Sequence, residues 1–194
     1  MQTTPVTPDQ FSETVLAVPP LARNAQDEIC ADNNRRLVQF LEAGGVSMLL
    51  YGGNANLYHI RPSEFEPLLA MLQDVAATDT LVIPAAGPAY GTMMDQADVL
   101  KRFDFPTAMV LPTTAVMTEP GLMTGFRRFV EACGKPAVLY IKDHDYISPE
   151  GAAALVDDGL VSFIKYAIVR EDPADDEFLA RLTERVDGLS LIHI

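Results

Sequence analysis

The sequence predicts an α/β protein with a parallel sheet, and three observations carry that prediction. Short apolar runs alternate with segments whose apolar residues recur at helical spacing. The starts of successive runs at Val46, Thr80, Ala108, Ala137 and Leu160 lie 34, 28, 29 and 23 residues apart, the length of one strand plus the crossover helix that returns the chain to the same edge. The last run, Leu160 to Val169, is mostly apolar around a single lysine, the pattern of a strand covered on both faces.

The elements follow in order. Residues Met1 to Glu13 are polar and carry Pro5 and Pro8, which predicts a loose lead-in. Thr14 to Val18 reads as a short strand stopped by Pro19-Pro20. From Asp32 a polar start leads into Leu37, Val38, Phe40 and Leu41, read as one helix face closed by Gly44-Gly45. Val46 to Tyr51 is the second strand, followed by the loop Gly52-Gly53-Asn54-Ala55-Asn56. A helix opens at Pro62-Ser63 with Phe65, Leu68, Leu69 and Leu72 on its inner face. Strands at Thr80 to Pro84, Ala108 to Leu111 and Ala137 to Ile141 then alternate with helices at about Met93 to Phe103, Gly121 to Cys133 and Pro149 to Val156. The lysine strand and a helix from about Asp175 to Val186 complete six pairs. Two parallel architectures fit, an open doubly wound sheet and a (β/α)8 TIM barrel. The glycine-rich loop lacks G-x-G-x-x-G spacing and no P-loop occurs. The barrel is therefore the expectation, incomplete at about six of eight units.

With 194 residues, 48% hydrophobic and 21% charged, the chain has the make-up of one soluble domain. Its 14 basic against 27 acidic residues give a formal charge of −13. That charge repels phosphate backbones and anionic lipid, which argues against nucleic acid and membrane partners. No window approaches the roughly 18 apolar residues of a membrane span, and Met1 to Pro20 lacks the basic start and apolar centre of a signal peptide. A cytoplasmic location is expected. Cys30 and Cys133 form neither a disulfide framework nor a metal-ligand spacing and are expected to be reduced thiols.

Lys165, inside its apolar strand, is the leading chemical candidate. An ammonium held in low dielectric loses solvation, its pKa falls, and a neutral amine becomes available near neutral pH. A Schiff-base lysine requires that. The same stretch also reads as a strand-end lysine that snorkels its charge to water.

Phe163-Ile164-Lys165-Tyr166-Ala167 resembles the G-[IV]-K-x-[AST] of the sixth barrel strand in the dihydrodipicolinate synthase and N-acetylneuraminate lyase family of Schiff-base aldolases. Val138-Leu139-Tyr140 resembles that family's fifth-strand tyrosine. Gly45 to Asn56, followed by Ser63-Glu64-Phe65, is similar to its second-strand segment, where G-T-T-G-E precedes a helix. The resemblance spans roughly Thr14 to Gly188. It implies that Lys165 attacks the carbonyl of pyruvate or another 2-oxo acid to give an imine, that Tyr140 relays protons, and that no cofactor is needed. It further implies an aldehyde as second reactant and a homo-oligomer, commonly a tetramer. Lys165 and Tyr140 are thus the catalytic candidates, with Gly53, Asn54 and Thr114 as substrate-binding candidates. Tyr140 also reads as an aromatic packed at the barrel mouth, and Asn54 as a turn residue.

The departures from the family pattern bear on substrate. Gly52-Gly53-Asn54-Ala55-Asn56 lacks both threonine hydroxyls and the glutamate of G-T-T-G-E. Pro112-Thr113-Thr114 stands where many members have a proline and paired tyrosines, so a second phenol is missing there. Ile141-Lys142-Asp143-His144-Asp145 replaces Y-N-x-P continuation residues and the nearby arginine, leaving Lys142 or His144 as a cationic contact or as ordinary loop charges. These changes point away from the lysine-biosynthesis synthase toward a relative with an altered second substrate. The alternatives are a sugar-acid dehydratase working through the same imine and a noncatalytic barrel that binds or regulates.

Asp143, His144 and Asp145 superficially suggest a metal site, but adjacent residues on one loop seldom face one ion, and no metal is expected. Asp172, Asp175, Asp176 and Glu177 complement the dipole at a helix start, while Met93, Met94 and Met117 are read as gap-fillers. The last six residues, Leu189 to Ile194, match the in-frame translation of a transposase adapter used in sequencing libraries. This predicts a natural sequence ending at Gly188 in this read, with a genuine strand of a seventh unit as the other reading. A barrel takes about 250 residues, so roughly 60 are expected beyond Gly188. Open sheet edges then predict a chain that is poorly soluble on its own.

Overall fold

The computed structural model describes residues 1–115, 117–172, 174–186 and 191–193. Seven strands form one sheet in strictly sequential order, and every neighbouring pair is parallel. They are β1 (Leu16–Ala17), β2 (Met48–Tyr51), β3 (Leu81–Ala86), β4 (Ala108–Val110), β5 (Ala137–Ile141), β6 (Val161–Tyr166) and β7 (Leu191–His193). A doubly wound sheet reverses its strand order at a switch point, whereas a barrel adds each strand beside the one before it. The sequential order therefore makes this an incomplete (β/α)8 barrel, as the sequence predicts. No helix among the described residues is long and apolar enough to cross a membrane.

The strands are apolar because both faces are covered. β2, β3 and β4 are buried at every position, and β5 at all but Tyr140. The polar Ser162 early in β6 is accommodated by the buried Thr107, whose hydroxyl lies 2.8 Å from the serine oxygen. The crossover helices are α2 (Ala31–Ala43), α3 (Pro62–Val75), α4 (Tyr90–Leu100), α5 (Glu119–Cys133), α6 (Pro149–Asp157) and α7 (Glu177–Thr183), after a single turn, α1 (Gln10–Glu13). Local chemistry sets their starts. Thr118 and Ser148 accept the amide protons of Gly121 and Gly151 and precede Pro120 and Pro149 in the first turns of α5 and α6, the arrangement that satisfies otherwise orphaned donors. Gly134 and Gly159, both at positive φ, then turn the chain from α5 and α6 into β5 and β6.

Several expected boundaries move. α4 begins at Tyr90 rather than Met93, and α7 ends at Thr183 rather than Val186. β6 leaves the sheet after Tyr166, so Val169 stands 93% exposed. Phe40 is not on the inner face of its helix: it is 76% exposed, and α2 instead buries Asn34 and Val38. The buried Asn34 amide bonds both polar groups of Ala22 and the Cys30 carbonyl. That requirement rotates the helix away from the face suggested by its apolar residues. Phe65, Leu68, Leu69 and Leu72 of α3 are buried as expected. Cys30 and Cys133 are free thiols.

The N-terminal segment lies against the end of the sheet where the strands begin. The Gln2 amide donates to the Thr80 carbonyl at 2.9 Å, and the Phe11 ring meets Phe163 edge-on with centroids 5.0 Å apart. Of the suspected adapter segment, residues 191–193 lie as β7 beside β6, and the rest falls outside the described residues.

Candidate active site

Tyr140 and Lys165 are directly paired in the β5–β6 register, so their side chains leave the same face of the sheet at the same height. Alternation fixes which face this is. Phe163, two residues before Lys165, packs on Phe11 under the sheet, while Tyr166 stacks on Phe178 of the helical layer with centroids 5.8 Å apart. Lys165 and Tyr140 thus project into the barrel interior near the strand C-termini, where barrel enzymes gather their chemistry.

The lysine nitrogen lies 3.6 Å from the centroid of the Tyr140 ring. Lys165 is 5% exposed and has no hydrogen-bond or ion-pair partner among the described residues. The π face offers some compensation for a charge in that position, but not enough. Loss of solvation, with the positive charge of Lys142 acting in the same direction, lowers the Lys165 pKa from 10.5 to about 8. Burial also raises the Tyr140 phenol above its ordinary value. The pair therefore sets an amine with a lowered pKa over a phenol whose pKa is raised.

The other candidates are placed differently. Gly53 and Asn54 lie in the 3-10 turn Gly53–Ala55 that follows β2. The Asn54 amide donates to the Val18 carbonyl at 3.3 Å, tying the β2 loop to the end of β1. Thr114 is exposed on the loop after β4 and lines a cleft with Tyr58 and Lys142. Asp143, His144 and Asp145 bring one ligand atom each within 4.8 Å of one another; the imidazole lies between the two carboxylates at 3.6 and 3.4 Å on a mostly exposed loop.

Tyr58 is the site residue that sequence reasoning missed. It sits in a second 3-10 turn, Leu57–His59, and its ring stands 3.8 Å from where a side chain on Gly53 would begin. Its hydroxyl donates to the Pro112 carbonyl at 3.2 Å. Burial, with Tyr140 nearby as a second cause, pushes its pKa up to about 12. The Tyr58 ring thus lies in ordinary contact range of the Gly53 position. The available signal was an aromatic residue directly after a glycine-rich loop at a strand C-terminus.

Fold and geometry together define a parallel barrel with a desolvated lysine, faced by tyrosine, on its sixth strand. No family model matches the sequence, and no curated protein does either. Solved structures do match in fold. Dihydrodipicolinate synthase from Bacillus clausii is similar over 93% of this chain and 60% of its own, with 20% identity and a TM-score of 0.79. The 2-keto 3-deoxygluconate aldolase from Picrophilus torridus matches over 91% of this chain and 64% of its own, at 14% identity and a TM-score of 0.72. A prophage protein of the dihydrodipicolinic acid synthase family from E. coli K12, solved in complex with pyruvate, matches over 91% and 62%, at 15% identity and a TM-score of 0.75. The chain has the fold of these proteins and spans about 60% of the length of the first.

Proposed function

We propose that the protein is a divergent member of the dihydrodipicolinate synthase family, a Schiff-base-forming aldolase or lyase acting on pyruvate or another 2-oxo acid. The observation that carries this reading is the Lys165–Tyr140 pair: a 5% exposed lysine with a pKa lowered to about 8, in register with a phenol. Neutral Lys165 adds to the ketone carbonyl, and loss of water gives an iminium. The iminium withdraws electrons from the neighbouring carbon, which loses a proton to become an enamine. That carbon then attacks an aldehyde, Tyr140 supplies the proton taken up by the new alkoxide, and hydrolysis frees the lysine. Read backwards, the same steps cleave a C–C bond. No cofactor is required.

A noncatalytic barrel is the second reading, favoured by two observations: Gly53 carries no hydroxyl, and the Asn54 amide is engaged by the Val18 carbonyl. Borohydride reduction in the presence of pyruvate, followed by peptide mass mapping, separates the two. The experiment is best done on the protein expressed from the complete source gene. A pyruvate-derived adduct on Lys165 is the expected result. A folded protein that gives no adduct with pyruvate or with a panel of other 2-oxo acids is a noncatalytic barrel.

A further inference from the structure

The sequence predicts a loose lead-in at Met1 to Glu13, but the fold fastens this segment at both ends. The Met1 amino group donates to the Ala76 carbonyl at 3.4 Å and the Gln2 amide to the Thr80 carbonyl at 2.9 Å, where the chain enters β3. At the other end the Thr14 hydroxyl donates to the Gly45 carbonyl at 3.1 Å and accepts the Ser47 amide at 3.3 Å, where the chain enters β2. Between these anchors the side-chain amides of Gln2 and Gln10 bond each other at 2.7 and 3.4 Å, and Gln10 also accepts the Thr7 amide at 3.0 Å. The loop closed in this way leads into α1, which carries Phe11.

Phe11 crosses the bore. Its segment is fastened beside β2 and β3, yet its ring meets Phe163 on β6, three strands along the wall from β3. Phe163 is 1% exposed and shares the inner face of β6 with Lys165, one layer below it. A cleft of about 820 Å³ opens at that end of the barrel, lined by Thr3, Pro5 and Val6 of the segment together with Phe105, Pro136 and Ser162. It brings open space to the chain neighbour of Phe163. The titratable groups that face the lysine are Tyr140 on β5 and Lys142 just beyond it. Asp9 and Glu13 of the segment are exposed, and Tyr166 of β6 turns to the helical layer, where it bonds Asp176. Exclusion of water is therefore the main influence on the amine, and the aromatic pair is what stands beneath it.

We propose that the N-terminal segment is a plug for the end of the barrel where the strands begin, and that Phe11 is a positioning residue which, through Phe163, keeps water from the Lys165 amine. The consequence for a reaction rests on the imine reading of Lys165, whereas the plug rests on the packing alone. Without the ring, water enters from below, the ammonium regains solvation and the amine holds its proton to higher pH.

The test needs no substrate. The protein expressed from the complete source gene is labelled with limiting acetic anhydride across a pH series, and Lys165 is quantified by peptide mass mapping against the exposed Lys101. The wild-type profile for Lys165 should have its midpoint at about 8. In Phe11→Ala the midpoint should rise by about one pH unit, which leaves roughly tenfold less neutral amine at pH 7. Trapping by pyruvate and borohydride at that pH should slow by the same factor. Phe11→Leu keeps the seal apolar and should stay close to wild type. Gln10→Ala loosens the loop without opening the core and should move the midpoint the same way by less. A midpoint unmoved in a folded Phe11→Ala protein, whatever the loss in Tm, overturns the proposal and makes the segment a structural contact only. Should Phe11→Ala fail to fold, Gln10→Ala decides, and an unmoved midpoint there overturns it. If the wild type forms no pyruvate adduct the imine reading fails, while the labelling midpoint still decides the plug.

Discussion

Lys165 is costly to fold, and in the proposed imine chemistry that cost is what makes its amine available. With its pKa near 8, about one molecule in ten carries the neutral amine at pH 7, against about one in three thousand at the ordinary value. Trapping by pyruvate and borohydride should therefore rise with pH and level off just above 8, and a profile still climbing toward 10 would show an undepressed amine. The same shift acts on stability. Between about 8 and 10.5 the unfolded chain binds the proton that the folded chain has lost, so stability rises with pH across that window and the full penalty applies below it. Replacing the amine should remove the penalty: Lys165→Met is expected to stabilise the fold at pH 7 by about 1–3 kcal/mol, read from thermal or urea unfolding, while abolishing the adduct. Tyr140→Phe keeps the ring beneath the nitrogen and removes only the hydroxyl. The adduct should still form, while turnover falls by about 10²-fold or more. The strand positions of both residues were legible in the sequence because each is a single chemical group inside an apolar run. Tyr58 was not, because its position depends on a ring folding back against Gly53 and on a bond to Pro112, 54 residues away.

The β6–α7 connection shows how secondary-structure elements are joined by a few polar contacts. The buried Asp176 caps α7 through the Leu179 amide at 2.9 Å, accepts the Tyr166 hydroxyl at 2.6 Å and pairs with Arg170 at 3.2 Å. Burial opposes its charge, but these three partners outweigh burial and hold its carboxyl below the ordinary value. A carboxyl with a depressed folded pKa contributes stability that is present above its unfolded value and lost as pH falls through the folded one. Asp176→Ala should cost about 2–3 kcal/mol at pH 7, since it leaves a buried hydroxyl and a cap donor without their acceptor. Chemical denaturation measures that loss, and the difference from wild type should shrink toward pH 2. From sequence, Asp176 was one of a set of acids complementing a helix dipole, and its role as the buried link between β6 and α7 was hidden. Phe40 carries the same lesson with the opposite sign: apolar spacing alone placed it inside, and the hydrogen bonds of Asn34 turned it out.

Among the described residues the sheet is a barrel wall with two open margins, where β1 pairs only with β2 and β7 only with β6. Unpaired strand edges recruit other chains. We expect the 194-residue polypeptide expressed alone to associate, bind hydrophobic dyes and melt broadly, measured by light scattering and calorimetry. A sharp, cooperative transition from a monomer would count against this. The parallel βα repeat, six units of it, was readable because periodicity and segment length are local properties, and a parallel sheet can be built from such units in only two common ways.

The local order of apolar runs therefore already specified a parallel α/β wall with a lysine in its sixth strand and a tyrosine in its fifth, because alternation is written residue by residue along the chain, and it left open whether that lysine is buried or reaches water. Tertiary structure alone decided that the lysine nitrogen rests 3.6 Å from the centre of the tyrosine ring. It alone brought Tyr58 from one loop to meet Pro112 on another, and set Lys142 with Thr113 and Thr114 around a common cleft. Those relations depend on strand register and on loops that meet only once the sheet has curled, and no spacing along the chain encodes a distance across it.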